Sequence, residues 1–595
     1  MRKQLLGLLI GLLVLGNLQA QKLVYHVNLN DRADDQFKVT LHIKDGRLSA
    51  KNAIYQFAST APGTYQVMDM GRFVRSFKAF DKKGKELSTE KVSVNQWKIN
   101  KVEKAAKIEY SIAETWDTPV KEHRIYLMCG SSLEKDHALI NGQTVFGFPQ
   151  GMQGTPLKIK IDYPKEWMVG TALDKDKKGY FLADNYDHIV DSPILMGRLT
   201  KASTMLGKVP VDIYTYSKTD KIKSEYLLKA MADMLKAAEA FLKELPVDRY
   251  TFLYHFEDRT MGAWEHSYSS EYVYREAPWT PGYAKRLVST AAHEFFHVVT
   301  PLNIHSEIIE QFNFEKPTPS EHLWLYEGTT EWASHIMQLR YGLTKLDDFF
   351  KQWTRKITID QQYFDKNYSL SKLAMTSFTK PGQRQYGNIY MRGALVASLL
   401  DIRLLELSKG KKGLREVVLE LAKKYGKSKA FSEKTFFKDF TKITYPEIGE
   451  FFEKYVKNAN PLPYKEYFDK IGVSYYKEKD MGKKAGLSYR VSLDKGKFMV
   501  ARTQDATADL LKVGDEIVSL DGTKLTPKNA RATFDKVLKQ KAGTEYMIKI
   551  KRDGKVLPLA MKTFAQKDVK KHYFEVNSNA SPAQKKLRER WLKNF

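Results

Sequence analysis

The segment His293-Glu294-Phe295-Phe296-His297 holds two imidazoles four residues apart, with a carboxylate between them. On an α-helix that spacing places His293 and His297 one above the other, where both rings can reach one ion. Glu294 lies one residue further round, able to approach water at the ion without ligating it. Phe295 and Phe296 face elsewhere and can bury the helix. A catalytic zinc takes three protein ligands and keeps one position open. Glu327, in Trp324-Leu325-Tyr326-Glu327-Gly328, is the expected third ligand. Glu331, one turn later on the same face, can accept the second N–H of a ligand histidine and fix its tautomer. The chemistry open to such a set is amide hydrolysis. Zinc acidifies water and polarises the scissile carbonyl, while Glu294 takes the proton and hands it to the leaving amine.

These residues need elements to hold them. A helical stretch over 284–299 carries the two histidines and is stopped by Pro301. A second helix is expected over 320–340 for Glu327 and Glu331. Further helices are read at 222–244, 389–408 and 412–425, and Thr251–His255 reads as a short strand. Before residue 205 the pattern is β. Residues 38–43, 92–94, 107–112 and 157–161 alternate apolar with polar between Asp, Gly, Asn and Lys turn clusters. From about 475 strands return, with one helix near 527–539. The expected architecture is multidomain α+β. It comprises an antiparallel β domain over 21–205, a mostly α domain over 206–474, a β module over 475–565 and a basic tail over 566–595.

The chain of 595 residues is long enough for several cores, and 43% hydrophobic residues can fill them. Its formal charge is +27. The lysines lie singly or in pairs beside Asp and Gly, as at Lys82, Lys83 and Lys85. No basic stripe is interleaved with stacking aromatics, so nucleic acid is not an expected partner. Arg2 and Lys3 precede an apolar run from Leu5 to Leu15, then Asn17-Leu18-Gln19-Ala20. This reads as a signal peptide over 1–20, which implies export to a periplasmic or extracellular location. No other apolar run reaches membrane-spanning length. Cys129 is the only cysteine, so an internal disulfide is excluded and zinc must be held by His and carboxylate.

Together these residues resemble the glycyl aminopeptidase family of bacterial metallopeptidases, relatives of the thermolysin-like enzymes with a Glu third ligand. The zinc motif and Trp324–Gly328 carry the resemblance first. Gly262-Ala263-Trp264-Glu265-His266 is similar to the Gly-x-x-Glu segment that lies along the substrate in related aminopeptidases. By that likeness Gly262 and Ala263 line the substrate, and Glu265 captures its free α-amine. Ala263 and Trp264 stand where the family more often has Gly and Leu, which would put a bulky ring beside the amine. Tyr390-Met391-Arg392-Gly393 resembles the family's Tyr-x-Lys/Arg-Gly. This implies that Tyr390, or failing it Tyr386, donates a hydrogen bond to the tetrahedral oxyanion. Val513 to Gly522 resembles the core of a PDZ domain, a module that takes extended peptides as an added strand. Gly486-Leu487-Ser488-Tyr489 is the candidate for its carboxylate-binding loop.

The resulting expectation is an exported, zinc-dependent aminopeptidase acting on peptides. A zinc endopeptidase of the cell envelope is the alternative enzyme, and a non-catalytic protein presenting its PDZ-like module is the alternative outside enzymes. The sequence sets no oligomeric state.

Overall fold

A computed structural model of the chain describes residues 23–43, 48–259, 262–427, 429–504 and 510–594. The segment read as a signal peptide lies outside the described residues. The chain divides into two compact units. One holds the residues up to Gly472 together with those from Ser578 onward, and the other runs from Val473 to Asn577.

The N-terminal part of the first unit is built on an eight-stranded sheet. In Leu23–Asn28 and Gln36–His42 every second residue is buried, the alternation that one solvated face imposes. Their register sets Tyr25 against Leu41 and Val27 against Val39, so the buried side chains stack into one layer with Ile108, Tyr110 and Ile112. The expectation of a wholly antiparallel domain needs one correction: Leu23–Asn28 pairs in parallel with Leu157–Asp162. A second correction concerns Val92–Val94. These residues form the turn between strands Thr89–Lys91 and Gln96–Ile99, with Val92 and Val94 exposed. Two alternating valines are too few to fix a register against a turn-forming Ser-Val-Asn.

A five-stranded sheet follows, containing β1 (Leu199–Leu206), β2 (Val209–Ser217), β3 (Tyr250–Glu257), β4 (Gly262–Glu265) and β5 (Ser269–Arg275). The spatial order is β1-β2-β3-β5-β4. β3 runs parallel to both β2 and β5 and is buried along its whole length, as parallel strands covered on both faces are. β4 forms an antiparallel hairpin with β5 and lies at the sheet edge.

Helices α1 (Ser224–Leu242) and α2 (Pro281–Phe296) pack on this sheet, α3 (Thr330–Arg340) packs on both of them, and α4 (Leu346–Tyr363) and α5 (Asn388–Leu407) pack on each other and on α3. Thr280 caps α2 by accepting the Tyr283 N–H, and Pro281 opens its first turn, where a missing N–H costs nothing. Phe295 packs on Tyr250 and Phe252, and Phe296 on Phe241, so the two phenylalanines of the histidine motif do bury the helix. α5 is buried along most of its length.

The single helix expected over 320–340 is instead a widened π turn, Trp324–Thr329, leading into α3. Such turns recur at functional sites. Of the residues read as a basic tail, 566–576 belong to strand Phe564–Val576, while Pro582–Trp591 forms α6. Trp591 in α6 is fully buried against Phe349 and Phe468, and its carbonyl accepts from Arg340 Nε.

The second unit is a C-terminal β unit. A ribbon of Val473–Gly486 with Phe564–Val576 accompanies a six-stranded sheet and the helix Ala530–Leu538. Val500, Ile517, Leu520, Val537, Ile548 and Ile550 lie in its core. Among the described residues no helix is long and apolar enough to cross a membrane.

Candidate metal centre

α2 delivers His293 and, at its C-cap, His297, which still has right-handed helical backbone (φ −60°, ψ −16°). The i, i+4 geometry therefore survives to the helix end, and the two rings stand 4.9 Å apart. The π turn supplies Glu327. Its Oε2 lies 3.3 Å from His293 Nε2 and 3.7 Å from His297 Nε2. One ligand atom from each of the three residues falls within 4.8 Å of the others.

The far side of each ring is occupied. His293 Nδ1–H donates to Glu331 Oε2 at 2.7 Å, and His297 Nδ1–H donates to the Thr300 carbonyl at 2.9 Å. With both Nδ1 atoms protonated, both Nε2 lone pairs point at the space beside Glu327. Glu331 is held in turn by Lys356 Nζ and by His335 Nε2, at 2.5 and 3.2 Å from Oε1. Burial works against its ionisation, yet Lys356 and His293 keep the carboxyl well below the usual range.

The remaining acids crowd the same space. Glu265, Glu294 and His297 also bring ligand atoms within 4.8 Å of one another. Burial pushes Glu294 up to about 8, with the charge of His293 opposing and that of Glu327 adding. Burial likewise raises Glu265 well above the carboxylate range, and Glu327 and Glu294 raise it further. Burial alone would lower His293, but its bonds to Glu327 and Glu331 raise it. His297 is lowered to about 4 by burial. Three buried carboxylates facing two imidazoles whose Nε2 atoms converge make a donor set that a zinc ion fits, in ligand type and in charge.

Glu265 comes from edge strand β4. Gly262, at φ 138°, opens this strand in a backbone conformation that suits glycine. Ala263 follows at half-exposed depth. Trp264 does not stand free beside the site. It is buried in the core of the N-terminal β domain, and its Nε1–H donates to the Pro62 carbonyl at 3.1 Å. Gly63 follows Pro62, with φ 71°, and a methyl group there would lie 2.5 Å from Glu265 Oε1. A loop of the N-terminal domain thus closes directly over Glu265. Gly63, Tyr65, Trp264, Glu265, Pro301 and Leu302 line a small cavity of about 40 Å³.

Tyr390, on α5, stands with its ring 5.5 Å from that of His293. Burial, then Glu327, holds its hydroxyl well above the ordinary phenol value, so it remains a donor. Tyr386 lies beside Tyr390, and Tyr65 packs on Tyr386 at 5.2 Å. The structure therefore brings together the nine residues expected in the zinc site, six of them around one space and Gly262, Ala263 and Glu331 in support, with the fallback Tyr386 beside Tyr390. It adds Gly63, Tyr65, Thr300, His335 and Lys356. Gly63, Tyr65 and Lys356 reach the site from elements distant in sequence and Thr300 through a backbone carbonyl, whereas His335 lies one turn from Glu331 on α3 and its i, i+4 spacing was the one local signal.

Two family models match the chain. Residues 24–198 match the Peptidase M61 N-terminal domain, and residues 286–396 match M61 glycyl aminopeptidase. The second match spans both histidines, Glu327, Glu331 and Tyr390. Among solved structures, an aminopeptidase N family protein from Idiomarina loihiensis is similar at a TM-score of 0.70 and 19% identity, covering 96% of this chain and 100% of that one. The two share a fold. An M1 zinc metallopeptidase from Deinococcus radiodurans is similar at a TM-score of 0.46 and 10% identity, over 75% of this chain and 95% of its own. No curated protein matches.

Proposed function

We propose that this chain is an exported zinc-dependent aminopeptidase. The observation that carries the reading is the meeting of Glu265 with Glu294 and His297 within 4.8 Å. A carboxylate poised for an α-ammonium sits one step from the base and one metal ligand, so the first peptide bond of a bound chain falls at the site.

In this reading His293, His297 and Glu327 hold zinc, and Glu331 with Lys356 fixes the His293 tautomer. Zinc, when bound, supplies Lewis acidity toward water and the scissile carbonyl. Glu294 takes the proton of the attacking water and delivers it to the leaving amine, a task suited to a carboxyl raised toward neutrality. Tyr390 donates to the oxyanion as the carbonyl becomes tetrahedral. Gly262 and Ala263 lie along the substrate backbone. The loop at Gly63 limits the depth beyond Glu265, so small N-terminal side chains fit best. The M61 glycyl aminopeptidase match supports the peptidase class. Export rests on Arg2–Ala20. The unit from Val473 to Asn577 is read as PDZ-like on Val513–Gly522, a module through which peptide or protein segments can dock as an added strand.

The test is hydrolysis of amino-acid amides, free and N-acetylated, with and without a chelator. The proposal expects cleavage of the free amides only, abolished by chelator and by Glu265→Ala. Equal cleavage of acetylated peptides would favour the endopeptidase.

A further inference from the structure

Away from the site just described, His137, His255 and Glu257 bring one ligand atom each within 4.8 Å of one another. His255 and Glu257 are two residues apart on β3, so both project from the same face. His137 comes from the strand His137–Ile140, which belongs to a sheet of the N-terminal β domain. The two histidines are each 1% exposed.

Among the described residues, three of their four ring nitrogens have no hydrogen-bond partner. His137 Nδ1 bonds Asp136 Oδ1 at 3.0 Å, while its Nε2 has no partner. Neither ring nitrogen of His255 has a partner. A buried polar atom left unpaired is costly, so three such nitrogens around one carboxylate call for an occupant. Lys218 Nζ takes Glu257 Oε2 at 2.9 Å and leaves Oε1 facing His137 Nε2 at 3.9 Å. Asp136 is steadied by Arg198 and the Tyr216 hydroxyl. A carboxylate behind one histidine, itself held by a cation, repeats the His293–Glu331–Lys356 arrangement. The 3.9 Å between His137 Nε2 and Glu257 Oε1 is also close to the 3.3 and 3.7 Å of the first site.

Stacked rings alone do not explain the cluster. Tyr216 lies 3.9 Å from the His137 ring and Trp116 lies 4.6 Å from that of His255, which fixes both imidazoles but pairs none of the open nitrogens. Trp116 also lines a cavity of about 550 Å³ with Thr115, Pro119, Tyr126 and Arg259.

We propose that His137, His255 and Glu257 form a second divalent-cation site, of zinc type by its two imidazoles and one carboxylate. The ion ties the N-terminal β domain to the sheet that carries β4 and β5. It takes no part in hydrolysis.

The experiment is metal analysis of the full chain after loading with Zn²⁺ and desalting. The wild type should hold two equivalents, and His293→Ala with His297→Ala should still hold one. Zinc should raise the melting temperature of that double variant, and adding His255→Gln should remove both the ion and the shift. His255→Gln in the otherwise intact chain should hold one equivalent and remain active. A wild type holding one equivalent overturns the proposal, and so does a double variant holding none. Two equivalents in His255→Gln would do the same. If His255→Gln fails to fold, the first two measurements decide.

Discussion

Gly328 and Gly393 meet backbone to backbone: a methyl group on Gly328 would lie 2.7 Å from the Gly393 Cα, and one on Gly393 2.8 Å from the Gly328 Cα. The contact locks the π turn that carries Glu327 against the helix that carries Tyr390. Either methyl must prise the two apart, and overpacking of this kind costs about 1–3 kcal/mol. Gly393→Ala should therefore lose about that much stability in denaturant unfolding. It should also lower kcat by about 10²-fold with little change in KM, because Tyr390 and Glu327 are displaced relative to each other. The variant carrying both alanines should cost less than the sum of the two, since both methyls open one gap.

In the proposed site Glu331 orients the ligand His293 through its Nδ1–H without reaching the ion. Removing such a partner weakens metal affinity by about 10–100-fold. Glu331→Gln keeps a carbonyl acceptor for the His293 N–H but loses the charge that Lys356 and His335 share. Zinc affinity, measured by competition with a chromogenic chelator, should fall within that range, with most of kcat recovered at saturating zinc.

The convergence of His293 and His297 was legible because a helix turns one-dimensional spacing into geometry: residues four apart must share a face. Glu327 was legible through the Trp324–Gly328 motif, although the π turn that presents it was not. That turn sits in close contact with Gly393, sixty-five residues beyond Gly328, which no local pattern reports. The loop at Gly63 and Tyr65 was invisible for the same reason, as it reaches Glu265 only after two domains have packed. Trp264 was read as a bulky ring beside the amine; it lines the cavity next to Glu265, and tertiary packing, which the sequence did not show, also anchors it in the N-terminal core. The parallel pairing of Leu23–Asn28 with Leu157–Asp162 likewise joins segments that alternation alone describes equally well as antiparallel.

In the C-terminal unit, Asp515 receives two bonds from the Arg552 guanidinium, at 2.7 and 2.6 Å, and one from the Lys512 N–H. Burial opposes its ionisation, but these donors hold its carboxyl below the usual range. A depressed value means that the native state releases this proton more readily than the unfolded chain does. Its stabilisation is then fully present above about pH 4 and is lost as pH falls through the native value. Asp515→Asn should cost about 2–3 kcal/mol at pH 7, with the gap closing toward pH 3. Hydrogen exchange at the Ile517 and Ile550 amides, corrected for intrinsic rates, reads the difference.

If Glu294 is the base of a zinc peptidase, Glu294→Gln separates metal binding from hydrolysis. The amide keeps the shape of the side chain and leaves His293, His297 and Glu327 in place. Zinc content should equal that of the wild type, while hydrolysis of free amino-acid amides falls by about 10³-fold or more. Wild-type hydrolysis in a zinc-loaded Glu294→Gln protein would contradict the account.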